Sequence, residues 1–139
     1  MPDAAHDEKI VVGFDGSDGS RAALDWALNE AVIRRAPLEV VRAWTPGEFG
    51  TNEELGEYTQ SHLEKEVGDA LGERDVQWTA VAERGAAGKV LLERAAGAQM
   101  LVVGSRGHGA LGGLLLGSVS SHVATHSGAA VVVIVKEPV

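Results

Sequence analysis

Five short apolar runs alternate with four segments of helical period along this chain of 139 residues. The runs occupy residues 10–14, 38–44, 76–82, 100–103 and 129–135. After Ser20, the residues Ala23, Leu24, Ala27, Leu28, Ala31 and Val32 recur at three- and four-residue spacing, which predicts a helix ended by Ala36-Pro37. Leu55, Tyr58, His62, Val67, Ala70 and Leu71 trace a second stripe, with Thr51 and Glu54 as its capping box and Gly72 as its stop. Val90, Leu91, Leu92 and Ala95 mark a third helix over 88–96, and a fourth spans 119–127 before Gly128. Strict strand–helix alternation predicts an α/β fold: a parallel sheet with helices on both faces, in three layers. Right-handed crossovers leave few topologies for it. The length suits one domain, residues 1–139. With 45% hydrophobic but only 4% aromatic residues, its core is built from Val, Leu, Ile and Ala.

In such sheets ligands sit beyond the carboxyl ends of the strands, where the strand order reverses. Two glycine-rich stretches fall at strand ends. One is Asp15-Gly16-Ser17. The other runs from Gly104-Ser105-Arg106-Gly107, across nine residues, to Gly117-Ser118. If the first strand is central and the fourth is its neighbour, the two loops face each other across one crevice. A helix start with bare N–H groups is an anion site, and glycine lets a ligand approach the backbone. A phosphate cradle follows, with a nucleotide as the expected owner of the phosphates. The alternative is a surface loop with Ser118 as an ordinary N-cap. Its length favours function, since loops of ~12–15 residues without structure are uncommon otherwise. Asp15 has two readings: a ligand for ribose, adenine or a metal, or the acceptor of an Asx turn. Arg106 and His108 lie inside the cradle, as phosphate contacts or as solvated loop residues.

Other chemistries find little support. A net charge of −8 argues against nucleic-acid binding. The absence of cysteine excludes disulfides and thiolate sites. Residues 107–112 match G-x-G-x-x-G, but within a long loop and with no acidic residue at the expected distance. Gly85-Ala86-Ala87-Gly88-Lys89 is too short between its glycines for a P-loop. His122 and His126 stand four apart with no third ligand in sight, and read as a helix-face pair rather than zinc ligands. No G-x-S-x-G elbow supports a serine hydrolase. The polar start lacks secretory character, and no apolar run approaches the ~18 residues of a membrane span. The cytoplasm is the expected address. The last run, 129–135, is apolar on both faces. At a sheet edge it would be an exposed pairing template. A homodimer through this strand would bury it, and cover by a loop is the alternative.

The chain resembles the universal stress protein family over nearly its whole length. The resemblance rests on Val11-Val12-Gly13-Phe14-Asp15-Gly16-Ser17, on Val102-Val103-Gly104-Ser105-Arg106-Gly107 and on Gly117-Ser118-Val119-Ser120. The spacing G-x2-G-x9-G-S is that of the family's ATP-binding branch. The resemblance implies a Rossmann-like five-stranded parallel sheet in the order 3-2-1-4-5, and ATP or another adenine nucleotide with Mg2+. By position, Gly13, Phe14 and Asp15 line the nucleoside side, with Asp15 on the ribose and the Ala43 backbone on adenine. Val103, Gly104, Arg106 and Gly107 line the triphosphate, and Gly117, Ser118, Val119 and Ser120 hold the distal phosphates. Phe14 departs from the family's less bulky residue, and would crowd the nucleotide or stack beside it. Dimerisation through the last strand is also implied. The expected function is a nucleotide-binding regulator of the stress response with no catalytic residue. The alternatives are a slow Mg-dependent ATPase or nucleotidyl transferase drawing on Arg106 and His108, and an interaction module with an empty site.

Overall fold

The computed structural model describes residues 8–46, 52–105 and 118–136. Strands β1 (Ile10–Gly13), β2 (Leu38–Trp44), β3 (Trp78–Arg84), β4 (Met100–Gly104) and β5 (Val132–Val135) alternate with helices α1 (Asp18–Arg34), α2 (Asn52–Leu71), α3 (Ala87–Ala95) and α4 (Ser118–His126). The sheet order is β3-β2-β1-β4-β5, and every pairing is parallel. The expected architecture and strand order are both present.

Successive strand residues point to opposite faces, and each face has its own core. Ile10, Val12, Leu38, Val40, Met100 and Val102 pack with Ala23, Leu24, Ala27 and Leu28 of α1 and with Leu63 and Val67 of α2. Val11, Val41, Leu101 and Val103 pack with Val90, Leu91 and Ala95 of α3 and Val123 of α4. A central strand buried on both sides needs an unbroken apolar sequence, and Ile10-Val11-Val12 is fully buried. Each fully buried leucine, such as Leu28 or Leu63, contributes about 1.5–3 kcal/mol.

Several boundaries differ from the sequence expectation. Helix α1 ends before Pro37, because Arg35 takes a left-handed φ of 55° and its N–H returns to the last turn. Strand β3 starts two residues late. Its ladder begins where Trp78 pairs with Leu38, while Val76 packs on the core without pairing. Strand β5 starts at Val132, opposite Leu101. Residues 129–131 form the approach to it, and Ala129 N–H is held there by Ser127 Oγ at 3.0 Å. Gly72 ends α2 with a φ of +60°, as expected. Thr51, the expected cap of α2, lies outside the described residues.

Candidate functional site

The turn after β1 is a closed hydrogen-bond circuit. Asp15 Oδ1 accepts from Ser17 N–H at 2.9 Å, and Asp15 N–H donates to Ser20 Oγ at 3.2 Å. Ser20 Oγ donates to the Ser17 carbonyl at 3.0 Å, and Ser17 Oγ caps α1 by accepting from Ser20 N–H at 3.2 Å. The sequence left Asp15 between an Asx turn and a ligand contact. The structure shows the Asx turn, and Asp15 also lines a cleft.

That cleft, about 260 Å3, opens at the carboxyl ends of β1, β2 and β3. Asp15, Ala43 and Gly85 bring the strand ends to it, and Tyr58, Thr59 and His62 of α2 form its outer wall. Arg42 and Trp44 project from β2 into the same space. Glu66 of α2 organises this wall. Its carboxylate lies 2.6 Å from His62 Nε2, 3.5 Å from Arg21 Nη2 and 3.9 Å from Arg42 Nη1. The Tyr58 and His62 rings stack at 5.7 Å, nearly parallel. In the sequence, Tyr58 and His62 read only as part of an apolar stripe. Their signal was available: a phenol and an imidazole are unusual in a core stripe, and both fall near the end of α2 that follows the β2 strand end.

On the other side of the switch point, β4 ends against α1. A Cβ on Gly104 would stand 2.8 Å from the Gly19 carbonyl carbon and oxygen and 3.2 Å from Ser20 N. In the sequence, Gly104 is expected beside the ligand. The structure shows the absent side chain making room for the helix start. The Ser105 carbonyl accepts from Ser120 Oγ at 2.9 Å in a buried contact, which ties the first turn of α4 to the end of β4. Ser120, expected at a distal phosphate, thus directs its hydroxyl at this joint. Ser118 is exposed at the helix start and Val119 packs against the α3/α4 core. No acidic residue occupies the first turn of α4, whereas α1 carries Asp18 there.

Phe14 neither crowds nor stacks at the cleft. Its side chain is 4% exposed and belongs to the α1/α2 core, while its N–H donates to the Val41 carbonyl. Gly13 and Val103 are packed on the opposite face, where a Cβ on Gly13 would meet Leu91. Asp15 and Ala43 share the cleft. Arg106, Gly107, His108 and Gly117 lie outside the described residues. His122 and His126 form a tilted ring pair at 4.6 Å. Among the described residues no group of three or more His, Cys, Asp or Glu could hold a metal, and no helix is long and apolar enough to cross a membrane.

Known proteins resemble this chain throughout. The sequence profile of the universal stress protein family matches residues 8–135. A universal stress protein of Mycolicibacterium smegmatis is 36% identical, with 96% of this chain and 50% of that protein aligned. Universal stress protein Rv2005c of Mycobacterium tuberculosis is 37% identical over 88% of this chain and 43% of its own length. The chain therefore spans about half the length of the curated relatives it matches. Among solved structures, the universal stress protein UspA of Lactobacillus plantarum superposes with a TM-score of 0.77 at 18% identity, covering 92% of this chain and 97% of that one. A universal stress protein crystallised in complex with cAMP superposes with a TM-score of 0.74 at 32% identity, covering 94% and 98%.

Proposed function

The chain belongs to the universal stress protein family, and from that premise we propose that it binds an adenine nucleotide at the carboxyl edge of its sheet. The observation that carries this reading is the cleft that Asp15 and Ala43 share at the ends of β1 and β2. Ligand pockets usually span ~300–1,000 Å3, so about 260 Å3 suits the nucleoside part. The phosphates then extend toward the start of α4. The N–H-bearing start of a helix and the positive end of its dipole favour an anion, and no acidic residue in the first turn of α4 opposes one. The related protein in complex with cAMP supports an adenine ring in this fold at 32% identity.

ATP with Mg2+ is the proposed physiological ligand, and regulation of a stress response the proposed role, with nucleotide held rather than turned over. Magnesium would come with the phosphates, since the described residues offer no acidic ligand set of their own. The Asp15 carboxylate, held at the cleft by the Ser17 N–H, is an acceptor of the kind that ribose hydroxyls donate to. Burial of the apolar β5 edge in a homodimer completes the proposal.

Mass spectrometry of ligand released from freshly purified protein, followed by calorimetric titration with ATP, AMP and cAMP, tests this reading. Co-purifying nucleotide or a saturable isotherm is expected. Flat titrations with all three would overturn it. Turnover of labelled ATP on the order of 1 s⁻¹, an ordinary enzyme scale, would replace the binding role with a catalytic one.

A further inference from the structure

The sheet has two edges, β3 and β5, and one of them is closed by a side chain. Strand β3 begins with an uncharged run, Trp78-Thr79-Ala80-Val81-Ala82, before Glu83 and Arg84. A run of this kind on an edge presents its outward N–H and C=O groups to any strand that arrives. The odd-numbered backbone groups face β2: the Gln77 carbonyl accepts from Leu38 N–H, and Gly85 N–H donates to the Trp44 carbonyl. The even-numbered ones therefore face outward. Gln60 of α2 meets them. Its Nε2 donates to the Ala80 carbonyl at 2.8 Å, and its Oε1 accepts from Ala82 N–H at 2.7 Å. In a parallel ladder one residue of the neighbouring strand donates to residue i−1 and accepts from residue i+1. The Gln60 carboxamide makes that pair of bonds around Val81, as a one-residue sixth strand would. Glu64 Oε1 takes the second Nε2 proton at 2.8 Å. Both neighbours of the nitrogen are thus acceptors and the neighbour of the oxygen is a donor, which settles the orientation of the amide.

We propose that Gln60 is an edge cap: it occupies the pairing groups at the centre of β3 and prevents a second copy of this chain from adding its own β3 there. A second copy is the occupant because it brings the same uncharged run with the same outward groups. Pairing between copies is then confined to β5. This inference is independent of nucleotide binding, since Gln60 does not line the cleft.

The test compares wild type with Gln60→Leu, which keeps side-chain bulk and helix propensity but offers no hydrogen bond. Sedimentation velocity over a wide concentration range is the first readout. Amide hydrogen exchange at Ala82, measured at the lowest concentration, is the second. In Gln60→Leu, Ala82 N–H should exchange faster by roughly ten-fold or more, the loss of one protecting bond. A larger, concentration-dependent species absent from wild type should also form. Adding Thr79→Lys, a charge at an exposed edge position, should abolish that species. A Gln60→Leu protein that sediments like wild type at every concentration overturns the proposal. So does an associated species that Thr79→Lys leaves intact. Should Gln60→Leu not fold, Gln60→Met carries the same comparison. If that also fails, an Ala82 amide as labile in wild type as an ordinary edge N–H overturns the proposal.

Discussion

Gly104→Ala would place a methyl carbon 2.8 Å from the Gly19 carbonyl carbon and oxygen, and 3.2 Å from Ser20 N. Non-bonded carbons rest at ~3.5–4.0 Å, so the helix start would have to retreat by about 0.7 Å. The obstructing atoms are backbone, and no rotamer change relieves them. They also belong to the circuit that holds Asp15, because Ser20 Oγ accepts from Asp15 N–H and Ser17 Oγ caps the helix. Overpacking against a rigid neighbour costs about 1–3 kcal/mol, and this site belongs near the top of that range. Gly13→Ala is the matched control. Its Cβ would stand 2.9 Å from Leu91 Cδ1, the end of a side chain that can rotate. Both changes gain the same ~0.5–1 kcal/mol for replacing a strand glycine, so that contribution cancels between them. The expected gap is ~2 kcal/mol. It would be read as a urea midpoint lower by about 1 M, or as a melting temperature lower by about 8 °C at ~4 °C per kcal/mol. Nucleotide affinity should fall with Gly104→Ala and hold with Gly13→Ala. Equal stability of the two variants would refute the reasoning, because flexible and rigid obstructions would then be equivalent here.

Gly117→Val, at a position outside the described residues, should abolish nucleotide binding by calorimetry while the circular dichroism spectrum and melting midpoint stay near wild type. Retained affinity in that folded variant would count against a phosphate cradle at the α4 start. Ser20→Ala removes a buried hydroxyl that accepts from Asp15 N–H and donates to the Ser17 carbonyl. It should cost about 1–3 kcal/mol in urea unfolding and weaken nucleotide binding, and loss of neither would show the circuit to be incidental. The Val131 and Val135 carbonyls accept from β4, so Val132 N–H faces outward. Val132→Pro removes that donor without breaking the inner ladder, and light scattering should then report a monomer. An unchanged dimer mass would exclude the β5 edge as the contact.

The order of elements was legible because the two hydrophobic periods are local properties. Ala23, Leu24, Ala27, Leu28 and Ala31 announce one face of a helix, and that face is the buried one. Ile10-Val11-Val12 announces a strand covered on both sides, and the two cores confirm it. Boundaries were less legible because they depend on a partner. Val76 has the residue type of a strand, but β2 offers it no ladder position. Phe14 reads as a neighbour of the ligand in the sequence, since it adjoins Asp15. The alternation of the chain turns it into the α1/α2 core instead.

The sequence by itself determined the alternation of strand and helix, the apolar faces, and membership of the universal stress protein family. Each is carried by residues close together in the chain, where period and turn chemistry act. Only the tertiary structure decided that Gly104 yields space to Gly19, that Tyr58, His62 and Arg42 wall the cleft beside Asp15, and that Gln60 completes β3. These contacts join residues up to 85 positions apart. Their energies depend on distances of a few tenths of an ångström, which no local pattern specifies before the sheet has brought its strands together.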